Sequence, residues 1–381
     1  MTDRLYYKDA YIRSFTANVI SCTEKSGKYE IVLDRTAFFP EGGGQPGDRG
    51  AIGSSKVLDT VLRDDEIIHI CSSPESGECE CSLDWDFRFL NMQQHSGEHI
   101  FSGVLHSLTG LDNVGFHMSE SEKEVTVDFS GPVSAETIAL AEKKTNEFIW
   151  ANVPVTCFYP PEDEISSYDY RSKKEIDGPL RLVKIEGADL CACCGTHVAR
   201  TGETGAVKII TSESNRGGVR ITLKIGSLAL EDYIEKNNSV LEISASLCAK
   251  HHEVSQAVEK LKEKQNELRI EISNLNKKII SLLARGFTDE FPCVVDSRGS
   301  SDFARMLADA GASQVKIAFA FSGDDKNGYK YAVASKLTDV RETGKLLNSA
   351  LGGRGGGKPE MIMGSVTASL EQIKAFIESV K

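Results

Sequence analysis

The stretch that orders the rest of the chain is Lys28–Gly50, KYEIVLDRTAFFPEGGGQPGDRG. Its first part, Lys28–Asp34, alternates in polarity and carries Ile31 and Val32, the pattern of a half-buried strand. It runs into the glycine-rich turn Pro40–Gly50, and a second β-like run follows at Ser55–Leu62. Short strands broken by glycine turns predict a small β-barrel over residues 1–85. Three consecutive glycines, Gly42–Gly44, leave backbone amides open to a close ligand. A hairpin turn explains them equally well.

Working outward, a chain of 381 residues is too long for one average core and implies two to four units. Its hydrophobic content of 40% and charged content of 26% are those of an ordinary globular protein. No run approaches the roughly 20 apolar residues of a membrane helix, and Met1–Asp9 lacks the apolar centre of a signal peptide. The expectation is a cytoplasmic protein with no membrane partner. The formal charge of −12 argues against a general nucleic-acid coat protein. That charge lies wholly in residues 1–230, with 23 Lys+Arg against 35 Asp+Glu, while residues 231–286 and 287–381 are each balanced. An RNA partner therefore needs local basic groups, best supplied by the C-terminal part.

Residues 86–230 mix helix and strand. Leu90–Leu108 has helical spacing, and Ser134–Ala151 is a second helix with Ser134 as its N-cap. Val155–Tyr159 and Val183–Glu186 read as strands, and Val207–Ile225 as two strands joined near Ser214–Gly218. Over residues 231–286, Val240, Leu247, Val254, Leu261, Leu268, Leu275 and Leu282 recur every seven residues. This predicts one long helix, coiled with another helix over its C-terminal half. His251 and His252 on it read as solvated or seam residues. A break at 286–288 leads to a small α/β domain, 287–381, with strands at Pro292–Asp296, Val315–Ala320 and Tyr331–Ser335 and helices at Ser301–Ala310, Val340–Ala350 and Leu370–Val380. Between its last two helices lies a loop, LGGRGGGK, Leu351–Lys358. The whole is an α+β chain.

Two constellations carry chemistry. In His95-Ser-Gly-Glu-His99 the histidines lie four apart on one helix face, where they can share a metal. A zinc protease needs Glu directly after the first histidine, but Ser96 stands there, and Glu98 precedes the second. In Cys191-Ala-Cys193-Cys194-Gly-Thr-His197, Cys193 and His197 also lie four apart, with Gly195 allowing a tight turn. His95, His99, Cys193 and His197 would make a tetrahedral zinc set, with Cys191 and Cys194 as competing thiols. The chain holds ten cysteines. Cys22, Cys157, Cys248 and Cys293 read as small buried hydrophobes.

These motifs, in this order, resemble the editing domain of alanyl-tRNA synthetase and its free-standing relatives, the AlaX family. The resemblance rests on Gly43-Gly44-Gln45, on Asp84-Trp85-Asp86-Phe87-Arg88 leading to His95, and on Cys193-Cys194-Gly195-Thr196-His197. Gly352–Pro359 resembles the glycine-rich signature of the synthetase's C-terminal domain, and the heptad stretch fits the long form of AlaX. Cys194 departs from the glycine most common there, adding a thiol near the metal.

The resemblance implies an N-terminal barrel with an α/β deacylase domain over 86–230. It implies a zinc-dependent hydrolase of mischarged tRNA(Ala), with seryl-tRNA(Ala) as main substrate and glycyl-tRNA(Ala) as a second. Thr36 would bond the serine hydroxyl. Gly43, Gly44 and Gln45 would hold the ester carbonyl or terminal adenosine. Phe38 and Phe39 read as plain core, with Phe38 or Phe39 the alternative candidate to line the pocket. Arg354 and Lys358 would contact tRNA, and residues 231–381 would support a homodimer. The competing readings are an editor of another tRNA, such as seryl-tRNA(Thr), and a non-enzymatic, zinc-stabilised tRNA-binding module.

Overall fold

The computed structural model describes residues 2–119, 121–172, 179–287, 290, 292–297 and 300–381. Thr288, in the expected helix break, lies outside them. The chain forms two compact units, Met1–Glu242 and Ile243–Lys381, with a mixed α+β composition.

In the first unit, six strands close into a barrel. Their order around it is Ser14–Lys25, Lys28–Leu33, Glu66–Cys71, Ser55–Arg63, Gly50–Ile52 and Glu78–Leu83. Two of its hairpins turn on residue pairs with positive φ, Ser26-Gly27 and Asp64-Asp65. Such turns match the right-handed twist of the strands they join. The interior is filled by Ile31, Leu33, Ala37, Phe38, Ile52, Val57 and Cys81.

The helix Trp85–Thr109 follows the barrel directly. Asp84 caps it by accepting from the Phe87 amide, and Gly110 ends it in a left-handed conformation. It packs with helix Ala135–Ala151, capped by Ser134 as the sequence predicts. A four-stranded antiparallel sheet has the order Val207–Asn215, Gly218–Ile225, Glu124–Phe129, Asn113–Ser119. Ile100, Phe101, Val104, Val127, Ile221 and Leu223 share one core between helix and sheet. Each such burial contributes about 1.5–3 kcal/mol. A three-stranded sheet, Val155–Phe158, Leu182–Ile185 and Asp189–Ala192, brings the cysteine-rich turn to the helix. The sequence reading had no strand at 189–192.

The expected single helix over 231–286 is two helices, Ser227–Leu247 and Val254–Arg285. Cys248 stands at φ 49, a left-handed conformation that a right-handed helix does not admit. The Ser244 hydroxyl donates to the Ala249 carbonyl at 2.6 Å, closing the first helix from within. Leu261, Leu268, Leu275 and Leu282 are exposed, so the heptad stripe is not the buried face of its helix. That face is Ile280 and Ala284, packed with Phe303 and Leu307. His251 and His252 are exposed.

In the second unit a five-stranded sheet has the order Cys293–Asp296, Ala318–Asp324, Gly328–Ala334, Met361–Val366, Arg354–Lys358. The glycine-rich segment read as a loop is therefore an edge strand, antiparallel to Met361–Val366. The ten cysteines are all free thiols. Cys22, Cys157 and Cys248 are exposed rather than buried, since a lone cysteine carries too little apolar surface to dictate its face. Among the described residues no helix is long and apolar enough to cross a membrane.

Candidate metal centre

The site begins with the periodicity of the helix Trp85–Thr109. His95 and His99 lie one turn apart on a helix buried almost all round. Strand Asp189–Ala192 delivers the turn Cys193–His197 beside them. The ligand atoms of His95, His99, Cys193 and His197 all lie within 4.8 Å of one another. Cys193 Sγ is 3.4 Å from His95 Nε2, and the His95 and His197 rings are 4.5 Å apart at their centroids.

Each imidazole is held from behind through Nδ1. His95 donates to Gln45 Oε1 at 2.9 Å, and His99 to Asp189 Oδ2 at 3.0 Å. His197 Nδ1 pairs with the Ser96 hydroxyl at 3.2 Å. The three Nε2 atoms are thereby turned toward the thiol. Gln45 is fixed in turn, donating to Thr196 Oγ1 and accepting from the Thr196 amide. Asp189 is gripped by Arg171, whose Nε and Nη2 reach its two oxygens at 2.8 and 2.9 Å.

The donor set fits zinc. Three imidazole nitrogens and one sulfur make a tetrahedral group of the usual kind. His197 Nε2 is buried with no hydrogen-bond partner, which costs free energy unless a ligand completes it. Burial pushes the Cys193 thiol up, but His95 and His99 beside it bring it well below its ordinary value, toward thiolate. The Gly195 amide donates to that sulfur at 3.3 Å. Burial lowers His99, and the Cys193 thiolate with Asp189 outweighs this to raise it to about 9. Burial and the neighbouring His95 lower His197 to about 3, leaving it a neutral donor.

Among the competing thiols, Cys194 is exposed and outside the cluster. Cys191 lies within reach of His99 and Asp189, but burial and the Asp189 charge raise its thiol, and Asp189 is already paired. Glu98 is buried and accepts from Ser102 Oγ and Asn113 Nδ2, both at 2.6 Å, which is a packing role.

His95, His99 and Cys193 form one side of a cavity of about 470 Å³, whose other walls include Gly43, Gly44, Phe116 and Arg181. Arg181 Nη1 donates to the carbonyls of Cys193 and Gly195, bracing the metal turn. Of the other residues singled out in the sequence, Gly43, Gly44, Cys191 and Cys194 also reach this cavity. Gln45 stands behind His95. Thr36 is buried, its hydroxyl 2.9 Å from His69 Nε2 and accepting from the Phe38 amide. Phe38 is barrel core, and Phe39 packs on Tyr6. Arg354 and Lys358 are exposed on the edge strand of the other unit.

The glycine block is pinned by residues the sequence reading passed over. Arg88, fully buried on the helix, donates through Nε to Asp48 Oδ1 and Oδ2 at 3.0 and 2.8 Å, and through Nη2 to the same carboxylate. It also donates to the Ala10 and Ala37 carbonyls. Asp48 accepts from the Phe39 amide at 2.6 Å. Arg88 was visible only as part of a motif, and nothing in the sequence named Asp48 as its partner.

Comparison with known proteins finds the chain similar to alanyl-tRNA editing proteins. Residues 180–222 match the family model of the threonyl and alanyl tRNA synthetase second additional domain. The alanyl-tRNA editing protein AlaX-L of Pyrococcus horikoshii is 31% identical, over 98% of this chain and 96% of its own. The alanyl-tRNA editing protein Aarsd1 of Danio rerio is 28% identical over 96% and 94%. The alanine–tRNA ligase of Methanobrevibacter smithii is 28% identical over 96% of this chain but 44% of its own. A solved C-Ala domain of Aquifex aeolicus alanyl-tRNA synthetase matches 23% of this chain and 87% of its own at 21% identity, with a TM-score of 0.21, too low to bear on the fold. The chain belongs to the AlaX family of alanyl-tRNA editing proteins.

Proposed function

We propose that this protein hydrolyses the ester joining a wrong amino acid to tRNA(Ala), with seryl-tRNA(Ala) its main substrate and glycyl-tRNA(Ala) a second. The observation that carries the reading is the three-imidazole, one-thiolate cluster on the wall of a cavity, in a chain of this family. In the reaction, water adds to the ester carbonyl, the bond to the ribose oxygen breaks, and that oxygen takes a proton. Free amino acid and tRNA(Ala) result.

His95, His99, Cys193 and His197 would hold Zn2+, which would supply Lewis acidity for the carbonyl or a fixed point for the substrate. Gly43 and Gly44 bring bare backbone to the ester. Gln45, Ser96 and Asp189 hold the imidazoles in register. Thr36 serves as a positioning residue, tying His69 to the start of the glycine block. Arg354 and Lys358 meet tRNA phosphates. The exposed stripe Leu261, Leu268, Leu275 and Leu282 fits a second copy of the chain, giving a homodimer through residues 231–381.

A second reading has one observation in its favour. Four protein donors close a tetrahedron, as structural zinc sites do, which suits a zinc-stabilised tRNA-binding module. Deacylation of serine- and alanine-charged tRNA(Ala), beside a His95→Ala, Cys193→Ala variant, separates the two. Fast loss of serine, slow loss of alanine and an inert variant are expected. Bound tRNA with neither ester lost would replace the editing reading with the binding module.

A further inference from the structure

Phe116 stands where the sequence pointed to no functional residue. It lies on strand Asn113–Ser119, and its ring covers the His95 imidazole, with centroids 5.2 Å apart and 25° between planes. It also fills the space over Gly44, where a Cβ would meet Phe116 Cδ1 at 2.6 Å. The ring is half-buried and borders the cavity. His95 Nε2 faces Cys193 Sγ at 3.4 Å, so an ester held at the donor cluster has Phe116 one ring away.

Among the described residues, Phe116 is the one aromatic ring besides the imidazoles on the cavity wall, where Pro179 and Ala192 are smaller apolar groups. Gly43 and Gly44 have no side chain to present, Arg181 is polar, and Val114 is 63% exposed. Phe116 is also hard to displace. Its neighbours include an imidazole fixed by Gln45 and the backbone of Gly44. A rigid apolar ring beside a reacting carbonyl limits the volume of the group attached to the α-carbon.

We infer that Phe116 sets the upper size of the aminoacyl side chain, admitting esters of small amino acids and excluding β-branched aliphatic ones. This rests on the editing reading above. Each excess methylene against such a wall is worth about 10–200-fold in kcat/KM.

The test uses the full chain, Phe116→Ala and Phe116→Leu, with tRNA(Ala) charged with serine or with valine, and metal content measured on each protein. The valyl-to-seryl ratio of kcat/KM should rise about tenfold or more in Phe116→Ala and less in Phe116→Leu, with metal retained. An unchanged ratio in both overturns the inference, as does metal loss in both, which would make the ring a support for His95 alone. If Phe116→Ala does not fold, the ratio in Phe116→Leu decides. A wild-type chain inert toward seryl-tRNA(Ala) removes the editing reading and this inference with it. An active wild type with an unchanged ratio in the variants removes only this one.

Discussion

Two glycine-rich stretches, Gly42–Gly47 and Gly352–Gly357, have nearly the same composition and different surroundings. The first leads into Asp48, which a buried arginine grips, and its Gln45 braces a metal-site histidine. The second is an exposed edge strand, paired along one side with Met361–Val366. The residues flanking a glycine run, rather than the run itself, decide whether it becomes a fixed wall or a regular strand. In the first stretch the decisive neighbours are 40 and more positions away in sequence, as Arg88 is from Asp48. In the second they are a few residues on.

The largest effect should come from breaking the first stretch at its pin. Arg88→Met leaves a buried Asp48 carboxylate unpaired and takes a donor from the Ala10 and Ala37 carbonyls. The expected cost is about 3–5 kcal/mol. Both tryptophans, Trp85 and Trp150, lie in the first unit, so tryptophan fluorescence in a denaturant titration reads this unit alone. A loss under about 1 kcal/mol would show that the block holds its shape without the ion pair. Gly44→Ala should cost less, about 1–3 kcal/mol, because it combines φ +85 with a collision against Phe116. Its deacylation rate should fall as Phe116 leaves His95.

The same contrast shows how much was legible in the sequence. Local patterns were: the strand at Lys28–Leu33, the Ser134 cap, the helix Leu370–Val380, and the two His/Cys pairs all lie where spacing put them. Long-range partnerships were not. Nothing in one sequence links Asp189 to His99, Asp48 to Arg88, or Phe116 to Gly44. The family resemblance pointed to Thr36 at the substrate, and Phe38 read as either core or pocket wall. In the barrel both are buried, Phe38 in its core and Thr36 against His69. The heptad run misled for a related reason. Seven-residue spacing says that a face is apolar but not what covers it, and a serine that bonds its own backbone ended the helix midway.

A smaller effect sharpens the metal side of the comparison. Asp189→Asn keeps the shape but replaces one carboxylate oxygen, weakening both the His99 bond and the Arg171 clamp. Zinc affinity, measured by competition with a chelator, should fall about 10–100-fold. Equal affinity in the variant would mean that the strand backbone alone orients His99. On the other stretch, Arg354→Ala and Lys358→Ala should leave hydrolysis of a short acceptor-stem substrate intact. Each should weaken full tRNA binding and reduce the slope of log affinity against log salt by about one. A slope that does not change would remove the edge strand from the RNA surface.

The smallest effect has the opposite sign to Gly44→Ala. A Cβ on Gly356 would meet nothing within 4 Å, and its φ lies outside the left-handed region that favours glycine. Alanine there restricts the unfolded chain without straining the strand, so Gly356→Ala should stabilise the second unit by about 0.4–1 kcal/mol. This unit contains no tryptophan, so hydrogen exchange of the amides in Met361–Val366 is the suitable measure. Slower exchange there would mean that position 356 is glycine for something outside the folded unit, such as close approach of an RNA backbone. If tRNA binding then falls while stability rises, the second glycine run is a docking edge, kept bare for a partner rather than for its own fold. Faster exchange would instead place an unfavourable contact at position 356, and the contrast between the two runs would narrow to their exposure.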